Sequence, residues 1–294
     1  MTEFLSSDAP KPPRILLVSL LPGMGSMHLP RHLARAGLEV VFAGARNSLA
    51  SRSGHVRTFC PWEFNGAGLA VEPFINAIRQ LQPQWVIPLD ELSVQVLQQI
   101  GLGRLDGGAT ALPSEVVELV RRSLGHPSMY ALFAVRRRAY ETALAASIPV
   151  PAQADVSTLE ACLAFAEAHG YPLVLKQESS RGGVGTFILN NEAALREFTG
   201  SAQFKPSGPP WVVQGFVPGA LGMHAVFADQ GRVLAQLSAV QISRRSNRVT
   251  APSSVVRVLQ HDAMAASCAA FVAATGASGF HGWDFQLDEA EIGR

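Results

Sequence analysis

Residues 171–190, Tyr-Pro-Leu-Val-Leu-Lys-Gln-Glu-Ser-Ser-Arg-Gly-Gly-Val-Gly-Thr-Phe-Ile-Leu-Asn, join two apolar runs through a turn that carries Gly182, Gly183 and Gly185 and has a lysine just before it. In a strand over 173–175 successive side chains point to opposite faces, so Lys176 shares the face of Val174 and holds its ammonium over whatever the next loop encloses. Glycines, lacking a Cβ, let backbone N–H groups approach an anion, and a lysine beside such a loop supplies a point charge suited to phosphate. The loop over 179–186, which includes Ser180 and Val184, reads either as a phosphate cradle or as an ordinary β-hairpin turn with a surface lysine, because glycine-rich turns between strands are common.

The chain has 294 residues, 48 % of them hydrophobic, which is room for two domains with real cores. A formal net charge of +1 supplies no general basic field. Binding to nucleic acid or to a membrane surface therefore has no electrostatic support, and small-molecule chemistry is favoured. Cys60, Cys162 and Cys268 are far apart, odd in number and without Cys-x-x-Cys spacing, which argues for buried thiols and against a disulfide frame or a zinc site. Residues 1–14 are polar and proline-containing, without the apolar core of a signal peptide, so the expectation is a cytoplasmic protein with a flexible N-terminus over 1–13. The uncharged stretch 263–280 is mostly alanine, too weakly apolar for a membrane span, and reads as a buried helix followed by a turn.

Along the chain, an apolar run at 14–20, a helix near 27–36 with Pro30 in its first turn and a strand at 38–43 indicate a parallel βαβ unit. The Gly23-x-Gly25 pair invites a dinucleotide reading, but the third glycine is missing and Ala43-Gly-Ala-Arg46 stands where an acid should follow the second strand. A helix over 71–81 leads to a buried strand at 85–89 that ends in Asp90 and Glu91. Carboxyl ends of parallel strands are where open sheets bind ligands, so these acids either contact an acceptor amine or cap the next helix. Helices follow at 114–122 and 130–146, the second carrying Arg136, Arg137 and Arg138 around most of its circumference. Then come a strand at 152–156, a helix opened by a Ser157/Glu160 capping box and closed by Gly170, the Lys176 strand, its return strand at 184–189, and a helix capped by Asn190 or Asn191. A hairpin over 224–228 and 232–240 turns at Asp229-Gln-Gly231. Arg244, Arg245 and Arg248, in the polar stretch beyond it, neutralise a phosphate or a substrate carboxylate, or form a solvated loop.

Two further segments bear on the loop. After a proline-rich break at 206–210, Trp211-Val-Val-Gln-Gly-Phe-Val-Pro-Gly219 reads as an apolar strand ending in a short connector whose backbone at 215–217 can hydrogen-bond an adenine edge. Residues 279–287, Gly-Phe-His-Gly-Trp-Asp-Phe-Gln-Leu, place Asp284 in an otherwise apolar strand, where a carboxylate is costly unless a cation or donor satisfies it, and this suggests a metal ligand.

This order of elements (strand with lysine, glycine loop, return strand, helix, connector strand with Gln-x-x-x-Pro-Gly, then a late Asp-Phe) resembles the ATP-grasp superfamily over nearly the whole chain. The resemblance implies an α/β protein: a parallel-sheet, Rossmann-like pre-ATP-grasp domain over 14–122, then an α+β ATP-grasp domain over 123–294 with subdomains 123–208 and 209–294. It implies a ligase that uses ATP and Mg2+ to turn a carboxylate into an acyl phosphate for attack by an amine or similar nucleophile. Lys176, Ser180, Gly182, Gly183, Val184 and Arg136, reached by counting back from Pro149 of the Ile-Pro-Val-Pro turn, would hold phosphates. Gln214, Gly215, Phe216 and Val217 would hold adenine between Val174 and Phe285. Asp284 would hold magnesium, and Arg244 and Arg245 would act at the transferred phosphoryl or the substrate carboxylate. The partners implied are a small carboxylate and an amine, with no nucleic acid and no membrane; a homodimer is left open.

Two departures from the family pattern matter. Where relatives place an acid for the ribose hydroxyls, this chain has Ala220, Leu221, Gly222, Met223 and His224, of which His224 is either a substitute or structural. The Glu-x-Asn that completes the magnesium site on a returning strand is not found, and Glu289 and Glu291 lie in a turn, poorly placed for ligation. The sequence therefore reads as ending before that motif, with its last sheet incomplete. The expectation is weak nucleotide binding and negligible turnover, with a nucleotide-binding protein that does not turn over as the alternative function.

Overall fold

The computed structural model describes residues 11–21, 27–65, 68–104, 112–177, 185–205, 210–246 and 253–287, the side chains of 133, 134 and 136 excepted. It divides into two compact units, Met1–Pro127 and Ser128–Arg294.

The first unit is built on four parallel strands, β1 (Arg14–Ser19), β2 (Glu39–Gly44), β3 (Val56–Pro61) and β4 (Trp85–Pro88), in the order β3-β2-β1-β4. Both faces are covered, which is why β1 and β2 read as near-continuous apolar runs. Leu16, Val18, Val41 and Val86 pack beneath α2 (Glu72–Leu81), α3 (Glu91–Gly101) and α4 (Ser114–Leu124), while Ile15, Leu17, Val40 and Phe42 pack with Leu29 and Leu33 of α1 (Leu29–Arg35). Asp90 caps α3, Oδ1 accepting from the Ser93 amide at 2.8 Å and Oδ2 from the amides of Leu20 and Leu21 at 2.9 and 3.2 Å. Its carboxylate is thus occupied structurally. Replacing Asp90 with alanine removes a cap and the Leu21 amide's acceptor, while the Leu20 amide keeps Ser93 Oγ at 3.0 Å, and thermal or urea unfolding is expected to show a loss of about 1–2 kcal/mol.

The second unit holds two antiparallel sheets. The first, in the order β5-β8-β6-β7, contains β5 (Gln153–Val156), β6 (Leu173–Gln177), β7 (Thr186–Leu189) and β8 (Trp211–Gly215). Leu173, Leu175, Trp211 and Val213 point to one face and pack on Cys162 and Phe165 of α7 (Leu159–His169) and Leu195 of α8 (Glu192–Thr199). The second sheet, in the order β11-β10-β9-β12, contains β9 (Ala220–Asp229), β10 (Arg232–Arg244), β11 (Ser253–Leu259) and β12 (Gly279–Leu287). One of its faces, with Val226, Ala228, Val240, Phe285 and Leu287, lies under α9 (Asp262–Thr275), which supplies Met264, Cys268 and Val272.

Several local expectations change. The helix expected over 130–146 is two helices, α5 (Tyr130–Ala134) and α6 (Arg136–Ala145), separated by extended Val135 (φ −122°, ψ 107°), a β-branched residue that favours that conformation. Thr158, not Ser157, caps α7, its Oγ1 accepting from the Ala161 amide at 3.2 Å. Asn191 caps α8. The hairpin turns where expected, but β10 runs on to Arg244 and pairs with β11, a strand the sequence reading did not anticipate. Burial raises the thiol pKa of Cys60, of Cys162 to about 11 and of Cys268 to about 12, so all three stay protonated and inert near neutral pH.

Candidate functional site

The antiparallel registers of the first sheet pair Val174 with Gln214 and Ile188, and Lys176 with Val212 and Thr186. These side chains share the face opposite the one packed on α7 and α8. There the Lys176 ammonium donates to Gln214 Oε1, so two residues assigned on sequence grounds to different parts of the ligand meet directly. Val174, nearly fully buried, lies one strand step from both.

Beyond Gln214 the connector begins. The Gly215 amide donates to the Ala152 carbonyl at 2.9 Å and the Phe216 amide to the Pro172 carbonyl at 3.3 Å, while no described residue accepts from the Val217 amide. Phe216 and Val217 are exposed at 37 % and 39 %. The connector ends at Gly219, whose φ of +134° and a Cβ position only 2.2 Å from the Leu287 carbonyl oxygen allow glycine alone; the connector and the end of β12 are thereby held in close contact.

On the second sheet Asp284 pairs with Met223, and strand alternation puts both, with Gln286, on the face away from α9. The carboxyl presents surface to solvent, yet enough protein crowds it that burial raises its pKa, an effect the Lys176 ammonium partly offsets. The lysine of one sheet and the acid of the other therefore act on each other. A cation at one wall and an oxygen donor at the other, with exposed connector backbone nearby in sequence, can grip a polyanion that carries a metal ion.

The remaining candidates separate. Phe285, proposed as a wall for adenine, is corrected: it is one residue out of phase with Asp284 and packs in the core under α9 with Val226, Cys268 and Met264. Met223 and Gln286, which strand alternation from Asp284 identifies, hold the places on the open face. His224 is 1 % exposed on the α9 side, its Nδ1 2.8 Å from Ser238 Oγ, and burial lowers its pKa; it is a core histidine rather than a ribose ligand. Arg244 ends β10, with Nε donating to Gln241 Oε1 at 2.8 Å, and Arg245 lies in the bend that follows it; both are exposed. Arg136 opens α6, while Arg137 is exposed and pairs with Asp155 at 3.5 Å and Glu141 at 3.7 Å. Ser180, Gly182, Gly183, Val184, Gly23, Gly25, Arg248, Glu289 and Glu291 lie outside the described residues. Among the described residues no three His, Cys, Asp or Glu side chains gather, and no helix is long and apolar enough to cross a membrane.

Residues 136–215, which hold the lysine strand, the glycine loop and the start of the connector, match the family model described as carbamoyl-phosphate synthase L chain, ATP binding domain. The structure superposes over 95 % of its length on N5-carboxyaminoimidazole synthetase from Staphylococcus aureus complexed with ADP, with a TM-score of 0.62 and 11 % identity, spanning 68 % of that chain. The chain has the fold of the ATP-grasp superfamily. This ATP-grasp fold is shared with biotin carboxylase of Campylobacter jejuni in its β-γ-ATP complex (TM-score 0.65, 15 % identity, 95 % of this chain and 63 % of that one). It is shared too with L-amino acid ligase from Bacillus licheniformis (TM-score 0.59, 14 % identity, 96 % and 65 %). The chain thus spans about two thirds of the length of these solved structures.

Proposed function

We propose that this chain is the nucleotide-binding and carboxylate-activating part of an ATP-dependent ligase, with residues 123–294 as its ATP-grasp domain in two subdomains meeting near 208. The observation that carries the proposal is the Lys176–Gln214 pair on one sheet together with the charge of that lysine felt by Asp284 on the other. In the reaction a substrate carboxylate oxygen attacks the γ-phosphorus of ATP, the bond to the β–γ bridging oxygen breaks and ADP leaves. An amine or similar nucleophile then attacks the acyl carbon, expels phosphate and gives up a proton. Lys176 and the loop amides around 180–184 balance phosphate charge, Arg136 adds a second cation, and Arg244 and Arg245 meet the transferred group or the substrate carboxylate. The Val217 amide and the carbonyls beside it read the adenine edge, with Val174 and Met223 as apolar walls. Asp284 would hold a magnesium ion, which would supply further charge neutralisation there. Free thiols, Cys162 and Cys268 buried and Cys60 half-buried, suit a reducing compartment such as the cytoplasm.

The test is ADP release with Mg-ATP and a panel of small carboxylates, with and without hydroxylamine to trap an acyl phosphate. Carboxylate-dependent ADP release is expected on the ligase reading, against the negligible turnover anticipated from the sequence. Nucleotide binding without ADP release for any acid would leave the non-catalytic reading standing, and no nucleotide binding at all would remove both.

A further inference from the structure

On the face of the second sheet that carries Asp284, the side chains further along the strands are apolar. Register places Gly282 opposite Ala225, with Leu237 on the other side of Ala225, and Phe280 opposite Phe227, with Ala235 on the other side of Phe227. Between Asp284 and the β9–β10 turn no described side chain on this face is charged. The small residues Ala225, Ala235 and Gly282 form the floor of an open groove of about 500 Å³, and Phe227, Leu237 and Phe280 form its rim. The Phe227 and Phe280 rings meet across the strands with centroids 4.7 Å apart and planes tilted by 38°, while Phe280 is 62 % and Leu237 50 % exposed. Large apolar side chains kept this open around a floor without bulk offer a surface to an apolar guest.

Its position says which guest. A strand advances about 3.3 Å per residue, so Gly282 lies roughly 7 Å and Phe280 roughly 13 Å from Asp284 on the same face. A group activated beside Asp284 therefore has the groove within reach of a short tail, with no ion or bend between. We infer that the groove takes the alkyl or aryl portion of the carboxylate substrate, so that the acid activated here is an apolar one, such as an arylalkanoic or medium-chain acid, rather than bicarbonate or a small polar acid. This inference rests on the ligase reading above for the chemistry at the carboxylate, but the groove itself binds without turnover.

Gly282 is the place to test it, because a Cβ there meets nothing within 4 Å and its backbone needs no positive φ. Gly282→Leu puts an apolar side chain on the groove floor, where its Cβ meets nothing within 4 Å. Binding of 3-phenylpropionate to the chain with Mg-ADP present is to be measured by calorimetry, beside acetate and glycine, together with Mg-ADP affinity alone and sedimentation velocity. The expected result is that 3-phenylpropionate binds and acetate and glycine do not. Gly282→Leu should weaken that binding by about tenfold or more, as a misfit of one or two methylenes does, while Mg-ADP affinity stays within about twofold. Binding without acid-dependent ADP release would sink the ligase reading and leave the groove assignment standing. Preference for acetate or glycine, or equal binding by Gly282→Leu with nucleotide affinity intact, would overturn the inference. So would a dimer that Gly282→Leu dissolves in the absence of any acid binding, since the groove would then be an interface between copies.

Discussion

Replacing Asp284 with asparagine is expected to cut magnesium-dependent ATP turnover by about 10²–10³-fold, the scale for losing a group that stabilises charge in the transition state. The amide keeps the shape and one oxygen but loses the negative charge that interacts with Lys176. Stability should move the other way. Burial raises the Asp284 pKa above its ordinary value, so the folded chain binds that proton more tightly than the unfolded one. Stability from this group is therefore present at low pH and lost as pH rises from the unfolded carboxyl pKa through the higher folded one, and the full cost is present at neutral pH. Asparagine has no charge to desolvate. Its melting temperature at pH 7 should equal or exceed that of the parent, with the difference shrinking toward pH 4. A variant that melts clearly lower at pH 7 would make Asp284 structural.

Lys176→Ala should weaken ATP binding by about 1–3 kcal/mol, the range for a charge-assisted bond to a poorly solvated anion, without unfolding the second unit. The lysine leaves a sheet face opposite the packed core of Leu173 and Leu175, so its removal opens no core cavity. It does free Gln214 Oε1 and leaves Asp284 without its offsetting cation. The Asp284 pKa should therefore rise further in the variant, and magnesium dependence should shift to higher pH with it. Equal ATP affinity in variant and parent would take Lys176 out of the site.

What could be read in advance follows from the range over which each determinant acts. The pairing of Lys176 with Val174 on one face, the turn at Asp229-Gln-Gly231 and the cap at Asn191 are set within a few residues, and the structure has them. Asp284 stood out because one acid interrupts an apolar strand. Phe285 was misplaced although its phase is local: it alternates with Asp284 and Gln286, and so shares with Trp283 and Leu287 the face that α9 covers. The break at Val135 and the strand β11 depend on packing with distant segments, and neither periodicity nor turn residues announce them. The open groove was invisible in the sequence because its floor is made of alanine and glycine from three strands that meet only through register.

The central claim is that one bound nucleotide is gripped at the same time by the lysine of one sheet and the acid of the other. A double-mutant cycle on Mg-ATP affinity with Lys176→Ala, Asp284→Asn and the pair tests it most directly, repeated in EDTA. Groups that share one ligand should couple by about 0.5–3 kcal/mol with magnesium present, and much less without it. Effects that add within about 0.5 kcal/mol under both conditions would mean that the two residues serve separate sites, and would contradict the account.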